Sequence, residues 1–308
     1  MTHLLARLDA TPITRVEIGH GLGLEAELAG ITPGNIDHHR WCEIARATLI
    51  RTSWGMFAQP GFTRPATIAE LAKRGMSFVR IGVEPDLVPP NLAYIKEAAQ
   101  VCGEVYVNLM KTSATPVEKL PELLAEIGPE VAGVYVVDSY GSMLPADVRR
   151  YVTVVGEHFP VVGFHGHNNL GMANINTLAA MDAGASVLDG TLNGIGRGSG
   201  NAAIESLAGI IRNLDSDRFD YQELGRLAEY CRLNMDVIGE DRTMQLLGGV
   251  IGIHSGFFPL VEELAALHRT EPALLMETAV EIADQSPRTA DFHAAATRIS
   301  AGVAPVHV

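Results

Sequence analysis

The chain has three cysteines in 308 residues, Cys42, Cys102 and Cys231, and no two of them are close enough in sequence to form a C-x-x-C pair. That spacing gives neither a zinc knuckle nor a disulfide framework. Aromatic residues make up 6% of the chain, too few for a platform on which bases could stack. Positive charge is scarce as well: 23 Lys and Arg stand against 36 Asp and Glu, a formal net charge of −13, with no basic cluster. Neither nucleic acid nor an anionic membrane is therefore expected as a partner. No apolar run is long enough to span a bilayer and no signal peptide opens the chain, so a cytoplasmic protein is expected. No G-x-G-x-x-G follows the first strand-like segment, which removes the usual dinucleotide cradle. What remains is 47% hydrophobic residues with 31 Gly and 16 Pro, enough for one large globular domain or one with a small appendage.

The apolar segments alternate in kind. A helix is expected over Met1 to Ala10, with Leu4, Leu5 and Leu8 on one face and Thr2 as its cap. Short β-branched or continuous apolar runs follow at Ile13–Ile18, Trp54–Ala58, Ser77–Val83, Glu104–Met110, Val131–Val137, Pro160–Phe164 and Ala185–Leu188. Helical segments separate them: Ile36–Ile50, Thr67–Arg74, Asn91–Val101, Pro116–Ile127, Ala146–His158, Met172–Ala183 and, after the last strand, Asn201–Leu214. Strands that are apolar throughout belong to a parallel sheet buried on both faces, doubly wound or a barrel. Seven such units can be counted where a (β/α)8 barrel needs eight, and the chain opens on a helix, so the missing unit is the first strand. Beyond Asp215 the alternation stops. Tyr221–Met235, Pro259–Leu267, Ala273–Ile282 and Phe292–Ile299 read as helices without strands between them. The expected division is residues 1–215 as barrel and 216–308 as a helical, partner-docking domain.

Chemistry concentrates at strand ends. His165 and His167, in Gly163-Phe164-His165-Gly166-His167-Asn168-Asn169, are two residues apart, so an extended chain points them to one face, roughly 7 Å from each other. Two imidazoles so placed can converge on one divalent cation. Val131–Val137 ends in Asp138-Ser139-Tyr140-Gly141, and Ile13–Ile18 in Gly19-His20-Gly21-Leu22-Gly23. After the last strand, Gly194-Ile195-Gly196-Arg197-Gly198-Ser199-Gly200 places glycine at every second position before a helix, the arrangement of a backbone cup for a phosphate or carboxylate, with Gly196 and Gly198 in it.

His165-Gly-His-Asn-Asn-Leu-Gly-x-Ala-Asn, followed by Asp189-Gly-Thr-Leu-Asn-Gly-Ile-Gly and Gly200-Asn-Ala-Ala-Ile-Glu, resembles the DRE-TIM metallolyases. Glu17-Ile-Gly-His-Gly-x-Gly-Leu, Asp138-Ser-x-Gly and Gly252-Ile-His-Ser-Gly-Phe are most similar to the 4-hydroxy-2-oxovalerate aldolases within that family. The resemblance runs from about Leu4 to about Arg298. It implies a TIM-type α/β barrel with a C-terminal helical domain that docks an acylating aldehyde dehydrogenase. The implied reaction is cleavage of a 4-hydroxy-2-oxo acid to pyruvate and an aldehyde, dependent on Mn²⁺, Mg²⁺ or another divalent cation. By the resemblance His165 and His167 hold the metal, with Asn201 in or beside its shell. Asp138 and Ser139, with Gly196 and Gly198, line the substrate side. His254, in place of the family's tyrosine, and His20 are the acid/base candidates.

The chain departs from the family in one coherent way. The first strand carries an Arg-Asp-Gly motif that supplies a metal-binding aspartate and an enolate-stabilising arginine, and this sequence has neither the strand nor the motif. Leu22 also stands where the family has an aspartate, and Arg197 is closer to the synthase branch. Two neutral imidazoles and an amide hold a hard dication weakly. A metal-dependent aldolase then requires the strand from an earlier start, from a chain cut short here, or from a partner chain. The open strand edges favour such pairing, and an oligomer is expected. The alternatives are a catalytically incomplete barrel serving as a partner subunit, and a Claisen-type acyl-CoA condensing enzyme.

Overall fold

The computed structural model describes residues 1–214, 218–235, 242–283 and 286–302. Seven parallel strands form one curled sheet in strict chain order: β1 (Arg15–Glu17), β2 (Ser53–Ala58), β3 (Phe78–Val83), β4 (Glu104–Leu109), β5 (Gly133–Asp138), β6 (Val162–Gly166) and β7 (Val187–Leu188). The connecting helices are α1 (Thr2–Asp9) before the sheet, then α2 (His38–Thr48), α3 (Pro65–Lys73), α4 (Val88–Val101), α5 (Leu120–Glu126), α6 (Pro145–His158), α7 (Ala173–Asp182) and α8 (Ile204–Asn213). This is the TIM-like architecture expected, short of a strand. β1 and β7 are the two edges and do not pair with each other.

The two-residue period of each strand sorts its side chains. Val79 and Ile81, Val105 and Val107, Val134 and Val136, Val162 and Phe164 join the large cluster between sheet and helices. Phe78, Tyr106, Tyr135 and Val137 point the other way and form a separate cluster inside the curl. Neighbouring strands make room for these rings with glycine. A Cβ on Gly55 would overlap the Phe78 ring and its carbonyl oxygen, and one on Gly163 would overlap the Tyr135 ring.

Boundaries differ from expectation where a local interaction decides them. Thr2 is not the cap of α1: the helix begins at Thr2, Met1 is at the cap position, and no side chain caps it. The segment expected as one helix over Pro116–Ile127 is a 3₁₀ turn at Val117–Lys119 followed by α5, with Pro121 in its first turn, where a missing N–H is harmless. α8 starts at Ile204 rather than Asn201, because Asn201 bridges to His167 and Ala203 to Thr191.

The helices after the sheet are α9 (Tyr221–Asn234), α10 (Arg242–Ile251), α11 (Phe258–His268), α12 (Pro272–Ile282) and α13 (Thr289–Ser300). The boundary expected at residues 215 and 216 lies outside the described residues. α9 buries Leu224, Leu227 and Cys231 in the barrel cluster and pairs Glu223 with Arg7 of α1 at 2.6 Å, so helices cover the side where the sheet is open. α10 to α13 bury a core of their own around Met244, Val261, Leu275 and Phe292. α10 has no counterpart among the expected helices. Its Gly248 and Gly249 interrupt the apolar pattern because Phe258 and Ile253 press on one and Asn169 and Leu170 on the other. The four helices are anchored to the barrel by a Tyr140–Ser286 hydroxyl bond of 2.8 Å and by Arg288 on Glu84 and Asp86. Among the described residues no helix is long and apolar enough to cross a membrane.

Candidate active site

The ends of β5, β6 and β7 and the loops after them bring together most of the residues marked in the sequence. His165 is the second-to-last residue of β6 and His167 is just beyond the strand, and their ring centroids are 5.2 Å apart in an edge-on arrangement. His167 N–H reaches the Asp138 carbonyl at 3.3 Å, while the next amide, of Asn168, reaches the Gly200 carbonyl at 2.9 Å. The first bond ties this end of the chain to β5, and the second, with the His167–Asn201 bridge, fastens the glycine-rich loop to the end of β6. Burial, then the neighbouring His165 and His254, push the His167 pKa from 6.5 to about 3, so its imidazole is neutral.

Asn201 presents a buried side-chain oxygen, Oδ1, with no hydrogen-bond partner. A buried carbonyl oxygen left unpaired, on a residue bridged to His167, is unfavourable unless something electropositive occupies the space before it. His165, His167 and Asn201 offer two imidazole rings and an amide oxygen to such an ion. Among the described residues no group of three or more His, Cys, Asp or Glu side chains is arranged to hold one.

Asp138 is fully buried, and its carboxylate accepts the amides of Ser142 at 3.0 Å and Met143 at 3.2 Å. Burial outweighs these bonds and raises its pKa from 3.8 to about 6. Its observed work is to fold the loop behind the site. Ser139 Oγ accepts the Lys111 amide at 2.8 Å and supports the adjoining loop, where Lys111 has φ +53°. Gly196 and Gly198 line the loop by close approach. A Cβ on Gly196 would come within 2.5 Å of the Asn201 amide, and one on Gly198 within 2.7 Å of Gln245. Part of the loop's backbone turns inward: the Gly200 amide bonds to the Arg197 carbonyl and the Asn201 amide to the Gly194 carbonyl. The loop therefore wraps the Asn201 side chain more than it opens as a cup.

His254 joins this group and His20 does not. His254 stands at the start of a 3₁₀ turn, Ser255–Phe257, and its Nδ1 accepts the Gly256 amide at 3.2 Å. Burial, then the charges of Arg197 and Lys111, lower its pKa from 6.5 to about 3. It is a neutral imidazole with its proton on Nε2. His20 uses both ring nitrogens within its own loop. Nδ1 accepts the Leu22 amide at 3.1 Å, so Nε2–H donates to the Thr32 carbonyl at 3.2 Å. None of these contacts involves the His165 group.

Three charged residues belong to the site that were not singled out for it. Arg80 of β3 is buried inside the curl. It donates twice to Glu17 of β1, at 2.5 and 2.8 Å, and once more to Asp189 after β7. Asp189 also takes the His165 Nδ1 hydrogen bond at 2.9 Å. Burial alone would raise the Asp189 pKa, but Arg80 and His165 outweigh it and bring it from 3.8 to about 2. The signal for Arg80 was a charge in the middle of Phe78–Val83, a strand buried at every position. Such a charge must be paired.

The family model for HMGL-like proteins matches residues 86–230. A 4-hydroxy-2-oxovalerate aldolase of Spirochaeta aurantia is 32% identical over 277 residues, 86% of this chain and 79% of that protein. An oxaloacetate decarboxylase of Mycobacterium tuberculosis is 39% identical over 218 residues, and the chain spans 62% of its length. Among solved structures, the carboxyl transferase domain of Rhizobium etli pyruvate carboxylase superposes with a TM-score of 0.75 at 17% identity, covering 98% of this chain and 58% of that one, a likeness of fold.

Proposed function

The chain belongs to the HMGL-like, DRE-TIM family, and from that premise we propose that it cleaves a 4-hydroxy-2-oxo acid to pyruvate and an aldehyde with the help of a divalent cation. The observation that carries this reading is the unpartnered Asn201 Oδ1 on a residue bridged to His167, whose ring is 5.2 Å from that of His165 at the strand ends of a TIM-like sheet. His165, His167 and Asn201 would hold the ion, Mn²⁺ or Mg²⁺, with oxygens of the 2-oxo acid adding the anionic charge that these donors lack. When bound, the ion supplies Lewis-acid polarisation of the 2-oxo group. Asp138 and Ser139 shape the loops that face the substrate, and Gly196 and Gly198 let the backbone approach it. His254, neutral and with Nδ1 occupied, serves the reacting oxygen as a hydrogen-bond donor through Nε2–H rather than as a resting base. His20 clasps its own loop.

A second reading is supported by the decarboxylase relative: an oxaloacetate-type substrate would lose carbon dioxide from C3 where the aldol substrate loses an aldehyde, and both leave a pyruvate enolate to be stabilised. The helices after the barrel are assigned to an aldehyde dehydrogenase partner, supported by Leu246 and Val250 of α10, one turn apart and 50% and 69% exposed.

The test is pyruvate release from 4-hydroxy-2-oxopentanoate and from oxaloacetate, with and without added Mn²⁺, beside His165→Ala. Metal-dependent release from the hydroxy acid, abolished in the variant, is expected. Release from oxaloacetate alone would replace the first reading by the second. Release that is unchanged after chelation and in the variant would remove the metal site.

A further inference from the structure

Arg80 crosses the inside of the curl to the two strands that leave the sheet open. It holds Glu17 on β1 and Asp189 immediately after β7, and these edges have no backbone bonds to each other. The chain of contacts continues from Asp189 Oδ2 to His165 Nδ1 at 2.9 Å. A carboxylate shared with a guanidinium can only accept, so the proton between Asp189 and His165 belongs to Nδ1. The backbone supports the same geometry, because the Asp189 amide bonds to the Phe164 carbonyl at 3.0 Å, one residue before His165. Glu17, Arg80, Asp189 and His165 form one line from the far edge strand to the imidazole.

We propose that Asp189 is the positioning residue of His165: it fixes the ring as the Nδ1–H tautomer and leaves Nε2 as the free lone pair, while Arg80 and Glu17 hold Asp189 in place across the open side of the sheet. The use of that lone pair rests on the metal reading given above. The tautomer does not. Carboxylates that take the second nitrogen of a ligating imidazole fix its orientation and raise its basicity, and their removal commonly weakens metal binding about 10–100-fold. An Asp189 that served only to neutralise Arg80 would leave the His165 tautomer free.

The experiment uses full-length protein labelled with ¹⁵N histidine, stripped of metal with a chelator, with His165 assigned from the signal missing in His165→Gln. Long-range ¹H–¹⁵N spectra at pH 7.5 report which nitrogen carries the proton. The expected result is a single Nδ1–H form in the wild type, a mixture or the Nε2–H form in Asp189→Ala, and retention of Nδ1–H in Asp189→Asn, whose amide oxygen still accepts. Mn²⁺ titration followed by electron paramagnetic resonance is expected to show about 10–100-fold weaker binding in Asp189→Ala. A wild-type His165 in the Nε2–H form overturns the proposal without any variant needing to fold, and so does a spectrum that Asp189→Ala leaves unchanged. A wild type that takes up no Mn²⁺ refutes the metal reading instead, and the tautomer then decides the role of Asp189.

Discussion

Replacing Arg80 by methionine tests whether the charges inside the curl hold the open sheet together. Methionine keeps most of the stem volume and leaves a soft sulfur near the Tyr135 ring, which Arg80 now covers at 5.0 Å, so little of the effect comes from packing. What is lost is the partner of two acids. The side chains of Arg80, Asp189 and Glu17 are 9%, 20% and 30% exposed. Removing one member of a buried pair costs about 3–5 kcal/mol, because a charge is left without compensation. The depression of Asp189 from 3.8 to about 2 corresponds by itself to about 2.5 kcal/mol. Glu17 can turn partly toward water, which trims the total, so the expected loss is about 3 kcal/mol at pH 7.5. The pH dependence has a definite sign. In the wild type the Asp189 contribution is complete above 3.8 and disappears only as pH falls toward 2, so it is constant between pH 7.5 and 5. In the variant burial at Asp189 is no longer opposed by Arg80, so its pKa rises, and acidification to pH 5 relieves part of the loss. Urea unfolding followed by the fluorescence of the buried Trp54 measures both. A loss under about 1 kcal/mol at pH 7.5, or a gap between the proteins that widens on going to pH 5, would refute the reasoning.

Asp138 has the opposite sign. Its folded pKa, about 6, exceeds 3.8, so its contribution is complete below 3.8 and is lost as pH rises through 6. Asp138→Asn should therefore flatten the decline in stability between pH 4.5 and 7.5, measured by urea unfolding at each pH. Gly163→Ala would put a methyl group inside the Tyr135 ring, and a loss of about 1–3 kcal/mol is expected, with soluble yield as a second readout. Tyr140→Phe leaves Ser286 without its buried partner and should cost about 1 kcal/mol, and proteolysis should then release the α10–α13 helices faster than in the wild type.

Much of the fold was legible because it is periodic. Continuous apolar strands such as Phe78–Val83 and Gly133–Asp138, separated by helices, leave a parallel sheet as the arrangement that buries both faces. The His165–His167 pair was legible for the same local reason, two residues of strand geometry placing two rings on one side. Where a boundary depended on a contact distant in sequence, pattern failed. The pattern places Asn201 in a helix, yet His167, 34 positions earlier, holds it in a bridge. α10 escapes the pattern because its glycines answer to Phe258 and Leu170, neither of which a window over Arg242–Ile251 contains.

The charged line inside the curl shows the same limit in the site itself. Glu17 and Asp189 were both within recognised motifs, and each could be explained by its own turn. Arg80 is the residue that gives them a common purpose, and it is 63 positions from one and 109 from the other. A guanidinium in a wholly buried strand requires acidic partners, but spacing cannot say which. The chain order of the strands can. Strands β1 and β7 are the most distant in sequence and are also the two that flank the opening, so a cation projecting inward from β3 meets acids from both sides of the gap. In a closed barrel, backbone ladders would fix those edges. Here side-chain charge does it, and because Asp189 also holds His165, the geometry of the imidazole depends on the closure of the sheet.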